Sequence, residues 1–155
     1  MNQPLEAKII DLGFELPQPA PPAANYVPYV VQDNLVYISG QLPMWNGDLK
    51  YLGKLGESVS LEDGQAAARL CALNIISQLN QAIDGDFSRI DRCVKLTGFV
   101  NSTPDFRDHP KVINGASDVM LQVFGDQGLH ARAAVGTSSL PLGVSVEVEA
   151  IFGIK

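Results

Sequence analysis

The last residues of the chain alternate between apolar and polar side chains. Between residues 144 and 154 every second position is apolar, whereas Ser145, Glu147 and Glu149 lie between those positions. A period of two residues is typical of a strand that buries one face and leaves the other uncovered. We therefore predict a strand here, with Glu147 and Glu149 on the face turned away from the core.

The segment before this strand predicts its pairing partner. Residues 130–137 show a similar period of two, and residues 140–143 contain the proline and glycine typical of a turn. A hairpin symmetric about the turn would place Arg132 directly across from Glu147, with both side chains on the face away from the core. A single bulge would change this register.

Two longer segments predict amphipathic helices. The first begins at a capping box, Ser60 with Asp63, and runs to about residue 83, with apolar residues at helical spacing along it. The second begins near Pro110 and ends near Gly125, and its apolar stripe is unusually regular.

Further strands are predicted around these helices. Residues 26–31 and 35–39 form a hairpin around a turn at residues 33 and 34, and residues 92–101 form another strand. The order of elements predicts an α+β fold: a single mixed or antiparallel sheet with two helices on one face. The other face would then meet solvent or another subunit.

The first 25 residues differ in character from the rest. Four prolines between residues 17 and 22 remove backbone donors and favour extended backbone. We predict an extended proline-rich arm over residues 1–25, in which apolar residues 9–14 could form a short strand at a sheet edge. Residues 26–155 form one domain.

Composition excludes several classes of function. A net charge of −6 disfavours a nucleic-acid binder, which needs a basic surface for phosphates. Without a membrane span or a secretory signal, we expect a cytoplasmic protein.

Cys71 and Cys93 lie in apolar segments and are predicted to be buried, reduced thiols. His109 and His130 lack metal-ligand spacing, and no phosphate or dinucleotide loop is present, so we expect neither a metal nor an organic cofactor.

Several short motifs occur in an order that resembles one known family. The C-terminal strands carry A-R-x-x-V, L-P and V-x-V-E-x-E-A patterns, and the resemblance to the RidA/YjgF family extends over about residues 26–153. The other matching positions are Pro28-Tyr29, the segment 38–43, Val94-Lys95, Phe99-Val100, Asp105-Phe106 and Asn114. Each motif alone is weak, whereas their order and spacing together are specific.

The resemblance implies a fold, an activity and a set of site residues. It implies a chorismate-mutase-like fold assembled as a homotrimer, with the sheets facing inward and a site in each cleft between subunits. The implied reaction is hydrolysis of 2-imino acids or enamines to 2-oxo acids and ammonia. Arg132 would bind the substrate carboxylate and Glu147 would activate water. The other residues implied for the pocket are Tyr29, Ser39, Gly40 and Asn114.

Each of these residues also has an ordinary structural interpretation. Arg132 and Glu147 could form a structural salt bridge, and charges alternating along a strand are usually just its solvated face. Tyr29, Ser39 and Asn114 would be unremarkable in a strand, before a turn and in a helix. Gly40 could simply serve a turn.

The chain also departs from the family pattern. Ala134 stands where well-known deaminases have a cysteine, Gly136 follows where an acidic residue is common, and the stretch 44–56 is longer than in short members. These departures indicate a longer, divergent branch often described as endoribonuclease-like. Two alternatives therefore stay open: a non-catalytic trimer that binds a small carboxylate or a partner protein, and an endoribonuclease.

Overall fold

The computed structural model describes residues 3–22 and 25–155. These residues form three α-helices and seven strands. In chain order the elements are α1 (Leu5–Asp11), β1 (Tyr29–Gln32), β2 (Leu35–Gln41), β3 (Met44–Trp45), β4 (Asp48–Leu49), α2 (Leu61–Ala82), β5 (Ile90–Asn101), α3 (His109–Phe124), β6 (Ala131–Thr137) and β7 (Val146–Ile154).

Five strands form one mixed sheet in the order β1-β2-β7-β5-β6, and β3 pairs with β4 separately. The pair β5–β6 is parallel, whereas β1–β2, β2–β7 and β5–β7 are antiparallel. Helix α3 connects the two parallel strands, because parallel neighbours need a crossover connection that is usually a helix. The predicted α+β class with a mixed sheet is therefore confirmed.

The predicted C-terminal hairpin is wrong. Strand β5 lies between β6 and β7, so Arg132 is opposite Leu96 and Glu147 is opposite Phe99. Because Leu96 is fully buried beneath the helices, Arg132 lies on the helix-covered face, and Glu147 lies on the other face. The turn-forming segment contains the 3₁₀ turn Pro141–Gly143 and carries the chain past β5 to its far side. A strand–helix–strand unit places its two strands in parallel, and this overrides the local hairpin signal.

The core lies between the sheet and the helices α2 and α3. The alternation predicted for β7 is confirmed, since Val146, Val148 and Phe152 are fully buried. Ser60 caps α2 by accepting a hydrogen bond of 3.1 Å from the backbone N–H of Asp63, as the capping box predicts. No helix among the described residues is long and apolar enough to cross a membrane.

The helix ends and the cysteines also follow the sequence pattern. Helix α3 ends at Gly125, whose φ of 59° is a backbone conformation that suits glycine. Cys71 and Cys93 are free and buried, which confirms the prediction of buried thiols.

The N-terminal arm is not an extended strand. Its first part forms α1, and Leu5 and Ile9 of this helix are fully buried in the common core, so the predicted edge strand is wrong. The proline-rich part lies along α2, where the Ser77 hydroxyl donates a 2.7 Å hydrogen bond to the carbonyl of Pro17. The predicted arm also includes residues 1, 2, 23 and 24, which lie outside the described residues.

The sheet face opposite the helices carries exposed apolar side chains. Val30 and Tyr37 form one cross-strand pair on this face, and Val135 of β6 lies on the same face as Glu147, with Phe99 between them. The side chains of Val30, Tyr37 and Val135 are between 44% and 50% exposed. The face also carries Glu147 and Glu149, and exposed apolar side chains beside charged ones are often found where a surface meets another protein.

Candidate functional site

Arg132 lies on the edge strand β6 and is held by helix α3. Its Nη1 donates to Oδ1 of Asn114 at 2.8 Å and to Oγ of Ser117 at 3.2 Å. Both acceptors are neutral, and within residues 3–22 and 25–155 no carboxylate lies within 4.0 Å of the guanidinium. Arg132 is exposed, so it is an oriented cation with donors still available for a ligand.

His130 extends this network and fixes the orientation of Ser117. The imidazole Nδ1 lies 2.6 Å from the carbonyl oxygen of Gly128, and Nε2 lies 2.9 Å from Oγ of Ser117. Because a carbonyl only accepts, Nδ1 carries the proton, and in the neutral ring Nε2 accepts from the Ser117 hydroxyl. A lone pair of Ser117 Oγ is then turned toward Arg132. We call Arg132, Asn114, Ser117 and His130 the arginine cluster.

Glu147 lies on the opposite face, against the backbone of Gly40. A Cβ atom at residue 40 would overlap Oε1 of Glu147, so a side chain there would push the carboxylate out of this position. The pairing of β2 with β7 shifts register between Ile38 and Gln41, which places Gly40 in a bulge beside the carboxylate. Burial and, to a smaller extent, the charge of Glu149 raise the pKa of Glu147 above the ordinary glutamate value.

Ser39 and Gly40 line a small cavity that is also bordered by the proline-rich arm and by Asn74 of α2. The cavity has a volume of about 140 Å³ and is also bordered by Tyr26. The Ser39 hydroxyl donates a 2.8 Å hydrogen bond to the carbonyl of Val27. Tyr29 borders a neighbouring groove along the proline-rich arm instead. We call Glu147, Gly40 and Ser39 the glutamate cluster.

The two clusters are separate within one chain. Arg132 is on β6 and Glu147 is on β7, with β5 between them, and the two side chains leave opposite faces of the sheet. Two strand spacings alone amount to about 10 Å. The chain therefore brings Arg132 to Asn114 and Glu147 to Gly40, but it does not bring Arg132 to Glu147.

Ser117, His130 and Tyr26 were not among the sequence-predicted site residues. Ser117 follows Asn114 by three residues, a spacing that places both on the same side of a helix and could have indicated it. His130 lies on the same strand side as Arg132, two residues earlier. The Pro28-Tyr29 motif favoured Tyr29, and no sequence signal indicates Tyr26.

The fold and the two clusters define an α+β protein with an oriented arginine on an edge strand and a half-buried glutamate on the uncovered sheet face. Residues 6–152 match the family described as "YjgF/chorismate_mutase-like, putative endoribonuclease", and the chain belongs to this family.

Individual relatives agree with this assignment. Protein TCP17 of Trypanosoma cruzi is 49% identical over 94% of this chain and 91% of its own length. A crystal structure of a protein of unknown function from Agrobacterium tumefaciens is 48% identical, with a TM-score of 0.89 over 97% of this chain and 92% of that one. The YjgF gene product of E. coli is 26% identical, with a TM-score of 0.61 over 89% of this chain and 95% of that one.

Proposed function

We propose that the protein hydrolyses small 2-imino acids, or their enamine tautomers, to 2-oxo acids and ammonia. The observation that carries this proposal is the Arg132 guanidinium, which Asn114 and Ser117 hold in one orientation without neutralising it. A planar guanidinium can bind a substrate carboxylate through two parallel hydrogen bonds. A salt bridge within one chain, an ordinary alternative, would need a carboxylate partner, and Arg132 has none among the described residues.

Glu147 would supply the base for water. In the proposed reaction its carboxylate takes a proton from water while the water oxygen bonds to the imine carbon. This proton passes to the imine nitrogen, which completes the carbinolamine. Glu147 then takes the proton of the carbinolamine hydroxyl as the carbonyl forms and the C–N bond breaks, and that proton goes to the departing nitrogen to give ammonia. A raised pKa suits this role, because a general base works best when its pKa approaches the working pH.

The separation of the two clusters supports assembly from more than one copy. A substrate that contacts both residues would have to lie between the β6 edge of one copy and the β2–β7 face of another. The exposed apolar side chains on the same sheet face as Glu147 suit burial against a second copy. We therefore include a homotrimer with three such clefts in the proposal, as the family resemblance implies.

The proposal predicts different defects for two variants. A purified amino-acid oxidase would generate the imine, and its disappearance would be followed with and without this protein. Arg132→Ala should lower kcat/KM by about 100-fold, because two charge-assisted hydrogen bonds are lost. Glu147→Gln should lower kcat by about 10²–10⁴-fold while pyruvate still stabilises the protein against heat.

Arg69→Ala is the matched control, since Arg69 is an exposed arginine on α2 away from both clusters. It should behave like the wild type. Absence of any acceleration by the wild type would rule out the reaction. Stabilisation by 2-oxo acids that depends on Arg132, without turnover of any imine, would identify the non-catalytic carboxylate binder instead.

The family description also names endoribonuclease activity. A net charge of −6 gives little attraction for a phosphate backbone. Ribonuclease activity that survives further purification and falls in Arg132→Ala would favour that function over imine hydrolysis.

A further inference from the structure

A second cleft lies at the C-terminal end of β6, beside the start of α3. Its volume is about 490 Å³, within the range of about 300–1,000 Å³ typical of sites for small molecules. None of the sequence-predicted site residues lines it. The cleft is lined by residues that include Lys54, Ser102, Thr103, Phe106, His109 and Gly136.

Lys54 places a positive charge in this cleft. Its Nζ donates to Oδ1 of Asn101 at 2.8 Å and to the carbonyl of Ser138, and both acceptors are neutral. Within the described part of the chain, no carboxylate lies within 4.0 Å of the ammonium group. Lys54 is also half-buried, so its charge is partly desolvated without an opposite charge nearby. An anion at this position would offset that cost.

Polar side chains surround the same space. His109 Nε2 lies 3.1 Å from Oγ of Ser102, and both residues line the cleft. Gly136 matters here because a Cβ at this position would collide with the imidazole of His109. The absence of a side chain at residue 136 therefore lets the imidazole stay beside the cleft.

The remaining wall is apolar. The Phe106 ring stands perpendicular to the His109 imidazole, with the ring centroids 5.2 Å apart, and Pro104 lies beside it. A ligand that matches both walls has an anionic head and an apolar body. An inorganic ion would leave the apolar wall uncovered, and a neutral apolar molecule would leave Lys54 without a counter-charge.

We propose that this cleft binds a small carboxylic acid with an aromatic body, with its carboxylate on Lys54 and its ring on Phe106. This site is separate from the arginine cluster. Arg132 and Gly136 are four residues apart on one strand, which is about 13 Å between their Cα atoms. The proposal does not depend on imine hydrolysis, and the site would hold its ligand even if the protein has no such activity.

The test uses 3-phenylpropionate as the probe and amide chemical shifts of the full-length protein as the readout. Shifts of Ser102, Phe106 and His109 should move with added probe. Lys54→Met should weaken binding by about 10-fold or more, because a charge-assisted hydrogen bond is lost. The neutral analogue 3-phenylpropan-1-ol should bind as weakly to the wild type as the acid binds to Lys54→Met.

Two control variants distinguish binding at Lys54 from a general effect of surface charge and from binding at the arginine cluster. Lys50→Met removes the same charge from a lysine that does not line the cleft, and it should bind the probe like the wild type. Arg132→Ala should also keep the binding at Lys54. If Lys54→Met fails to fold, His109→Gln tests the opposite wall and should weaken binding several-fold.

Three results would overturn the proposal. The first is equal affinity for the acid and the alcohol, which would make the cleft an apolar pocket only. The second is a set of shifts at Asn114 and Ser117 that disappears in Arg132→Ala, which would place the probe on the arginine cluster. The third is no binding at millimolar probe.

Discussion

At the scale of single residues, Arg132 and Glu147 differ in the exposure of their charged groups and in the groups that contact them. Arg132 is exposed and fixed by neutral acceptors, so its cation is available to a ligand. Glu147 is half-buried, and burial together with Glu149 raises the pKa of its carboxyl group. The first arrangement suits binding of an anion, and the second makes the carboxylate accept a proton more readily than an ordinary glutamate does.

The effect of Glu149 on Glu147 predicts a shift in the pH dependence of turnover. A general base must be ionised, so activity should fall as the pH drops through the raised pKa of Glu147. Glu149→Gln removes a negative charge that favours protonation of Glu147, so its pKa should fall toward the ordinary glutamate value. The acid limb of kcat/KM against pH should therefore move to lower pH in this variant.

Glu57→Gln is the control, because Glu57 is exposed and does not contribute to the pKa of Glu147. Its acid limb should coincide with that of the wild type. An acid limb that stays in place in Glu149→Gln, or moves to higher pH, would show that another group controls the profile.

From the sequence, Arg132 and Glu147 could be selected as candidate site residues, whereas the residues that contact them could not be identified. Residue type, strand period and the family resemblance were enough to select Arg132 and Glu147 and to predict the uncovered face for Glu147. The wrong face was predicted for Arg132. The prediction assumed a hairpin between its strand and the last strand, and that hairpin does not form. Ser117 and His130 were missed because a serine in a helix and a histidine before a strand are ordinary features without the tertiary contact.

At the scale of elements, the β5–α3–β6 unit determines the environment of Arg132. The parallel pairing of β6 with β5 places Arg132 on the helix-covered side, where it meets one side of α3. Because β6 is an edge strand, the helix covers Arg132 only partly and the guanidinium remains accessible. The helices and the first hairpin could be predicted, since caps, stripes and turn residues are local signals. The strand order could not, because it depends on competition among non-local pairings.

The role of α3 as a support for Arg132 predicts a binding defect in Ser117→Ala. Loss of this acceptor should release the guanidinium and raise KM for the imine by about 10-fold, with kcat nearly unchanged. Ser117→Thr keeps a hydroxyl and should stay close to the wild type. Steady-state kinetics would check both variants.

Asp118→Ala provides the matched control on the next position of α3, where the side chain is exposed. Its kinetics should equal those of the wild type. A fall in kcat in Ser117→Ala without a change in KM would instead give Ser117 a part in the chemical step.

At the scale of the whole molecule, the sequence predicted the uncovered sheet face but not the packing of the N-terminal arm. Helix α1 buries Leu5 and Ile9 in the common core, so the arm is part of the folded unit rather than an appendage. The sequence did not predict this, because the two buried residues are one helical turn apart in a segment too short for a clear period. The uncovered face was predicted, because both amphipathic helices need the same side of a single sheet.

A site shared between subunits predicts that two inactive variants restore activity when mixed. Arg132→Ala subunits still supply Glu147, and Glu147→Gln subunits still supply Arg132. If the variants are unfolded together in equal amounts and refolded, random assembly into trimers joins one intact Arg132 with one intact Glu147 in about a quarter of the clefts. Turnover should therefore recover to about a quarter of the wild-type rate per cleft, with a species of about three times the chain mass measured by light scattering.

The matched control is the double variant Arg132→Ala/Glu147→Gln refolded with wild-type chain, which leaves the same fraction of shared clefts intact. Equal activity in the two mixtures would place the two residues of each site on different subunits. No recovery in the first mixture, with about half of the wild-type rate in the second, would mean that each site takes both residues from one chain. Because β5 separates the two residues and they leave opposite faces of the sheet, we expect the mixtures to be equal.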